Sequence, residues 1–269
     1  MFFQAVLTVF SFIALVAALP FPLDTIVQKL QPRNYPDQYT LYLGDGSTNG
    51  GWPSVDHWMP FDDLFNRNQP LMMQSCSQFG VANDIQSETS EIYTAIQAIS
   101  SQTGVDNRFI LAIMMQESGG CVRAPTTNWG VRNPGLMQSH NGQGTCNEGS
   151  VSNPCPQDRV TQMIHDGSQY SLLFFSSPFL DGYRYKVAHG FHPLAAGTSS
   201  GDGLLQILNQ LGGLSAGSKG FYRSARTYNS GSIAASGNLQ DGIATHCYAS
   251  DVANRLLGWA FAPHGCSLG

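Results

Sequence analysis

Among the side chains of this sequence, Glu117 is the one best placed for chemistry. It follows the apolar run Phe109-Ile110-Leu111-Ala112-Ile113-Met114-Met115-Gln116 and precedes Gly119-Gly120, the pair that ends a helix. At that point an anion is disfavoured twice, by partial burial and by the negative end of the helix dipole. Both effects raise the carboxyl pKa, which is what a general acid working near neutral pH requires. The plainer alternative is a glutamate that closes a helix at the surface, and position alone does not separate the two.

Other chemistries find less support. The tightest cysteine pair, Cys146 and Cys155, is nine residues apart, and no close Cys/His pair offers a zinc site. His165-Asp166, His189 and His192 show no metal-ligand spacing, and neither H-E-x-x-H nor G-x-S-x-G occurs. No metal and no cofactor is expected. A Cys-His hydrolase would need a free thiol, whereas Cys76, Cys121, Cys146, Cys155, Cys247 and Cys266 form an even set suited to three disulfides. Fifteen pairings are open.

The elements that would position Glu117 are mainly helical. Ser87 to Gln102 places Ile92, Ala95, Ile96 and Ile99 on one stripe. Asp106 is an N-cap for a helix from Asn107 to about Ser118, with Ile110, Ile113 and Met114 on its core face. A loop containing Pro125, Trp129, Gly130, Pro134 and Gly142 follows; Trp129 could present its ring for stacking on a ligand or simply anchor the loop. Further helices are expected at 157–175, 203–211, 219–229 and 249–258. There is no strand-rich block and no internal repeat.

Three short segments recur along this framework in order: Glu117-Ser118-Gly119-Gly120, Gly135-Leu136-Met137-Gln138 and Tyr228-Asn229-Ser230-Gly231. Together they resemble the E-S, G-L-M-Q and A-Y-N-A-G motifs of the soluble lytic transglycosylases. The likeness runs over roughly residues 85–260 and extends to the goose-type lysozymes of glycoside hydrolase family 23. It includes a helix from Asp158 to Tyr170 after the G-L-M-Q loop. The resemblance implies a mainly α, lysozyme-like fold of the α+β superfamily with little sheet, and cleavage of a β-1,4-linked polymer of 2-acetamido sugars. On it, Glu117 matches the catalytic acid/base and Tyr228 the tyrosine whose hydroxyl contacts that acid. Gln138 would line the sugar groove, Asn229 would help hold it, and Met137 would pack beneath the sugar. Ser118 and His140 complete the candidate set. Ordinary structural roles stand beside each: aromatic packing for Tyr228, a loop-stabilising amide for Gln138, a helix cap for Asn229 and core packing for Met137.

The departures are specific. Arg132-Asn133-Pro134 precedes Gly135 where the family has Gly-Ala, and Glu117 and Gln138 are 21 positions apart, longer than usual. His140 stands where goose-type lysozymes commonly carry Asp. No Asp or Glu occurs between Ser118 and Asn147, so the second carboxylate of a two-acid glycosidase is not visible near the first; Glu148 and Asp158 are the next ones along. One acid suffices if the substrate's own acetamido group stabilises the reacting carbon. Glu117 would then draw the C6 hydroxyl onto C1 to give a 1,6-anhydro sugar, or a water held by Gln138 or His140 would attack instead.

Composition sets the context. Residues 1–19 read as a signal peptide without the usual basic start, ending at Ala17-Ala18-Leu19-Pro20 and too short to span a bilayer. Residues 20–75 carry seven prolines and the turn Gly44 to Gly51, and are expected to be a propeptide or extended arm, with Trp52, Trp58, Phe61 and Phe65 packing on the body. Residues 76–269 form the expected catalytic domain. Charged residues are only 12% and the net charge is −5, which excludes nucleic acid as a partner and weakens long-range attraction to anionic walls. The expectation is a secreted, extracellular monomer with a polysaccharide partner, peptidoglycan ahead of chitin or chitosan, and no stable membrane insertion. The rival from another class is a catalytically silent, glycan-binding secreted module of the same fold.

Overall fold

The computed structural model describes residues 34–128, 130–169 and 201–268. The chain falls into two compact units, Met1–Tyr35 and Pro36–Gly269, and the second carries all the helices described below. The expected signal peptide at 1–19, the start of the expected arm, the 170–175 end of the predicted 157–175 helix, Trp129, Tyr170, His189 and His192 lie outside the described residues.

Among the described residues the fold is mainly helical, with α1 (Phe61–Ser75), α2 (Gln86–Thr103), α3 (Asn107–Ser118), α4 (Gln157–Ser168), α5 (Leu204–Gln210), α6 (Gly217–Ser230) and α7 (Tyr248–Leu256). Strand is confined to two minimal antiparallel pairs. Thr127–Asn128 lies against Arg132–Asn133, and Asn147–Glu148 against Ser150–Val151.

The centre of the fold is α3. Asp106 caps it by accepting from the Arg108 N–H at 2.9 Å, and Gly119, at φ 66°, closes it with an N–H to the Met115 carbonyl. Every side chain from Phe109 to Met115 is buried, so the helix is apolar on all sides because it is surrounded. Helices α1, α2, α4 and α7 all pack against it, while α2 lies along α4 and α6 along α7.

The boundary expected at residue 76 is corrected by this arrangement. The compact unit begins at Pro36, and residues 61–75 are not an arm but helix α1, which holds Leu64, Phe65 and Met72 in the core. Trp52 and Trp58 are buried as well, each indole N–H satisfied, by the Leu43 carbonyl at 2.8 Å and the Tyr222 hydroxyl at 3.0 Å. The physical reason is the aromatic and aliphatic content of the segment, which outweighs its prolines once α2 and α3 are there to receive it.

Three disulfides fasten the unit: Cys76–Cys121, Cys146–Cys155 and Cys247–Cys266. A fourth fastening is ionic. The guanidinium of Arg123, wholly buried, donates to Glu88 and Asp84 and to the carbonyls of Ala82 and Asn83. Glu88 also accepts from the N–H of Ile85 and of Cys155, so one cluster joins the start of α2 to two loops. Burial pushes Asp84 up, whereas Arg123 and two backbone donors hold Glu88 below its ordinary value against burial.

Candidate active site

Glu117 stands on the last turn of α3 with its side chain partly open to solvent. Desolvation raises its carboxyl to about 7, against the opposing effect of a hydrogen bond from Tyr248. Among the described residues, no cation and no second carboxylate stands with burial and Tyr248 as a cause of that shift. Glu148 is engaged with Arg132 on the surface, and Asp158 is exposed on the first turn of α4.

The loop carrying Gly135-Leu136-Met137-Gln138 is tied directly to the helix end. Ser118, buried, donates from Oγ to the Leu136 carbonyl at 2.7 Å and accepts from the Gly120 N–H at 3.1 Å. It thereby joins the end of α3 to the loop. Gly135 turns the chain at φ 69°, a conformation that L side chains rarely adopt. Met137 is fully buried, against Gly167 of α4, where an added Cβ would stand 2.5 Å from the Met137 Cβ. That close approach is why the helix carries glycine there.

The Gln138 carboxamide closes the loop on itself. It donates to the carbonyls of Pro125 and Gly135 at 3.1 and 3.0 Å and accepts from the Thr127 hydroxyl at 2.9 Å. Both Gln138 and Asn141 sit at positive φ, 46° and 54°, so this turn is held in a conformation costly to non-glycine residues. Asp166 holds it from α4, accepting from the N–H of Gln143 and Gly144 at 2.6 and 2.8 Å, and Arg132 holds it from the other side by donating to the Gly142 carbonyl. His140 lies half-buried in the same turn against the backbone of Gly201, with its pKa lowered by desolvation.

Tyr228 requires a correction. Its hydroxyl was expected on Glu117 but donates to the Met137 carbonyl at 2.8 Å. The phenol is deep enough to need an acceptor, and the tied loop presents that carbonyl. Tyr228 still lies close enough to Glu117 for the carboxylate charge to raise it, with Ser139 at its side and Asp166 also acting on it. The hydroxyl that does donate to Glu117, at Oε1, belongs to Tyr248, the first residue of α7. The sequence carries a weak signal for it, a tyrosine next to Cys247 at the edge of a predicted helix. Asn229, beside Tyr228, has a buried Oδ1 with no hydrogen-bond partner among the described residues.

Cys76, Asp84 and Cys121 bring ligand-type atoms within 4.8 Å of one another. The two sulfurs are bonded to each other, so neither can serve as a thiolate ligand. The six cysteines are all paired.

No protein-family model, no curated protein and no solved structure matches this chain.

Proposed function

We propose that this protein is a secreted, lysozyme-like enzyme that cleaves β-1,4-linked 2-acetamido-sugar polymers, peptidoglycan ahead of chitin or chitosan, with Glu117 as its single acid/base. The observation that carries the reading is a carboxyl raised to about 7, partly open to solvent and held by a tyrosine hydroxyl. Such a group is substantially protonated near neutral pH and can give its proton to a leaving glycosidic oxygen. Once ionised it keeps the Tyr248 hydrogen bond, which favours the anion and readies it to take a proton back. The neighbouring turn, tied to the same helix end, offers a place for sugar hydroxyls to bind. With no second carboxylate seen to act on Glu117 among the described residues, the substrate's acetamido group or its C6 hydroxyl supplies what a second acid would otherwise provide. Secretion is supported by the three disulfides; among the described residues no helix is long and apolar enough to cross a membrane.

The test is digestion of purified cell walls and of chitin oligosaccharides, with mass spectrometry of the products. Wild-type protein should release fragments, with activity falling as pH rises through about 7, and Glu117→Gln should lose at least about a hundredfold in rate. Products lacking one water relative to hydrolysis identify the anhydro route; fully hydrated products identify a lysozyme. A folded Glu117→Gln protein with near-full activity would sink the proposal, and glycan binding without cleavage by the wild type would identify a binding module.

A further inference from the structure

The residue next to the acid points away from it. Gln116 donates from Nε2 to Asp251 Oδ2 at 3.0 Å and accepts at Oε1 from Arg255 Nε at 2.8 Å, so its carboxamide binds α3 to α7. Asp251 lies one turn beyond Tyr248 on α7 and is 4% exposed. Its other oxygen accepts from the Tyr39 hydroxyl at 2.7 Å and is 2.9 Å from His264 Nε2. One buried carboxylate thus gathers the catalytic helix, the N-terminal segment of the unit, and the tail that Cys247–Cys266 folds back.

The surroundings reinforce the same fixation. Thr40 exchanges hydrogen bonds with the Asn254 carboxamide, 2.7 Å each way, and the Tyr42 N–H donates to Ser250 at 3.0 Å. Trp259 stacks on His264 and carries the Arg255 guanidinium over its ring. None of these groups reaches Glu117. What they control is the rotation of α7, a helix of nine residues, and with it where the Tyr248 hydroxyl falls.

We propose that Asp251 is a positioning residue, which through Gln116 sets α7 so that Tyr248 donates to Glu117. This rests on the reading of Glu117 as the acid. The groups facing Glu117 are Tyr248 from α7 and Tyr228 from α6; Asp166 acts on Tyr228, and Arg255 acts on Tyr248. Loss of the Tyr248 hydrogen bond removes the interaction that, among the described residues, favours the Glu117 anion, so the carboxyl should titrate at higher pH. Deleting the Asp251 charge would, by direct electrostatics, move it the opposite way. The sign therefore separates positioning from a field effect.

The experiment is 13C NMR titration of the glutamate carboxyls in the full chain, with the Glu117 signal assigned by its loss in Glu117→Gln. Asp251→Asn and Gln116→Met should each raise the Glu117 midpoint, as should Tyr248→Phe, and Tyr248→Phe/Asp251→Asn should raise it no further than Tyr248→Phe alone. On a cleavable glycan, kcat should fall about tenfold, or about 1.4 kcal/mol in the barrier, with KM unchanged. An unmoved or lowered midpoint in both single variants, or an additive double variant, overturns the proposal. If Asp251→Asn fails to fold, Gln116→Met decides alone. The titration needs no turnover, so absence of glycan cleavage would sink the functional reading and leave this one standing on its own result.

Discussion

Replacing Glu117 by Gln should stabilise this protein at alkaline pH and leave it unchanged at acid pH. The native carboxyl titrates at about 7, against 4.5 for an ordinary glutamate. Each tenfold change in proton affinity is worth 1.36 kcal/mol, so the folded protein disfavours the ionised form by about 3 kcal/mol. The sign follows from proton binding. Between pH 4.5 and about 7 the native state holds a proton that the unfolded chain has released, so stability declines as pH rises through that window. Below it the two states bind alike and nothing is lost. Glutamine cannot ionise and can still accept from Tyr248. Chemical denaturation of wild type and Glu117→Gln should therefore give matching free energies at pH 4 and a gap approaching about 3 kcal/mol at pH 8. For a domain of roughly 150–250 residues that is a rise in Tm of about 6–12 °C. Every other carboxyl is common to both proteins and cancels in the difference. A gap that does not vary with pH would show that Glu117 titrates like an exposed glutamate, and the case for a proton donor would fall with it.

Two structural predictions accompany it. Arg123→Met removes the guanidinium that pairs with Asp84 and Glu88 in a buried cluster and leaves both carboxylates without it; urea unfolding should show a loss of about 3–5 kcal/mol, and an unchanged midpoint would refute the ionic fastening. Peptide mapping without reduction should recover Cys76–Cys121, Cys146–Cys155 and Cys247–Cys266 and no free thiol. The Cys76→Ser/Cys121→Ser protein should lose roughly 2–4 kcal/mol.

What could be read from the sequence was what local chemistry determines. Asp106 and Gly119 bound α3 because one offers a carboxylate to free N–H groups and the other tolerates φ 66°, and neither effect needs the rest of the chain. The stripe on α2 and the even cysteine count were legible for the same reason. Helix α1 was not, because seven prolines between residues 20 and 75, one of them Pro70 inside the helix, argue locally against the packing that forms it. The raised carboxyl of Glu117 was legible from the helix that carries it, but its hydrogen-bond partner was not. Tyr228 stands in a recognisable motif, yet the loop carbonyl of Met137 takes its hydroxyl. Tyr248 meets Glu117 across 131 residues, and no local pattern encodes such a meeting. Arg123, Asp84 and Glu88 look like surface charges in a list of residues, because only the fold shows that each arrives with its counterpart.

What glutamate costs at position 117 bears on whether this end of α3 is a working site or a scaffold detail. Several features that lower stability lie there: a carboxyl raised to about 7, Gln138 and Asn141 at positive φ, and a buried Asn229 oxygen without a protein partner among the described residues. Backbone in such conformations costs about 1–3 kcal/mol for each residue, and an unpaired buried oxygen costs a similar amount. Such costs are not confined to that end: Asp84 is also raised to about 7, Ala244 stands at φ 73°, and Asn68 Oδ1 and Ser224 Oγ are buried without a hydrogen-bond partner among the described residues, whereas Arg123 meets two carboxylates and two carbonyls and Asp166 two backbone donors. A module that only had to fold and bind would lose nothing by carrying glutamine at 117. A proton donor has no such freedom, because the burial that destabilises its anion is also what keeps its proton available at neutral pH.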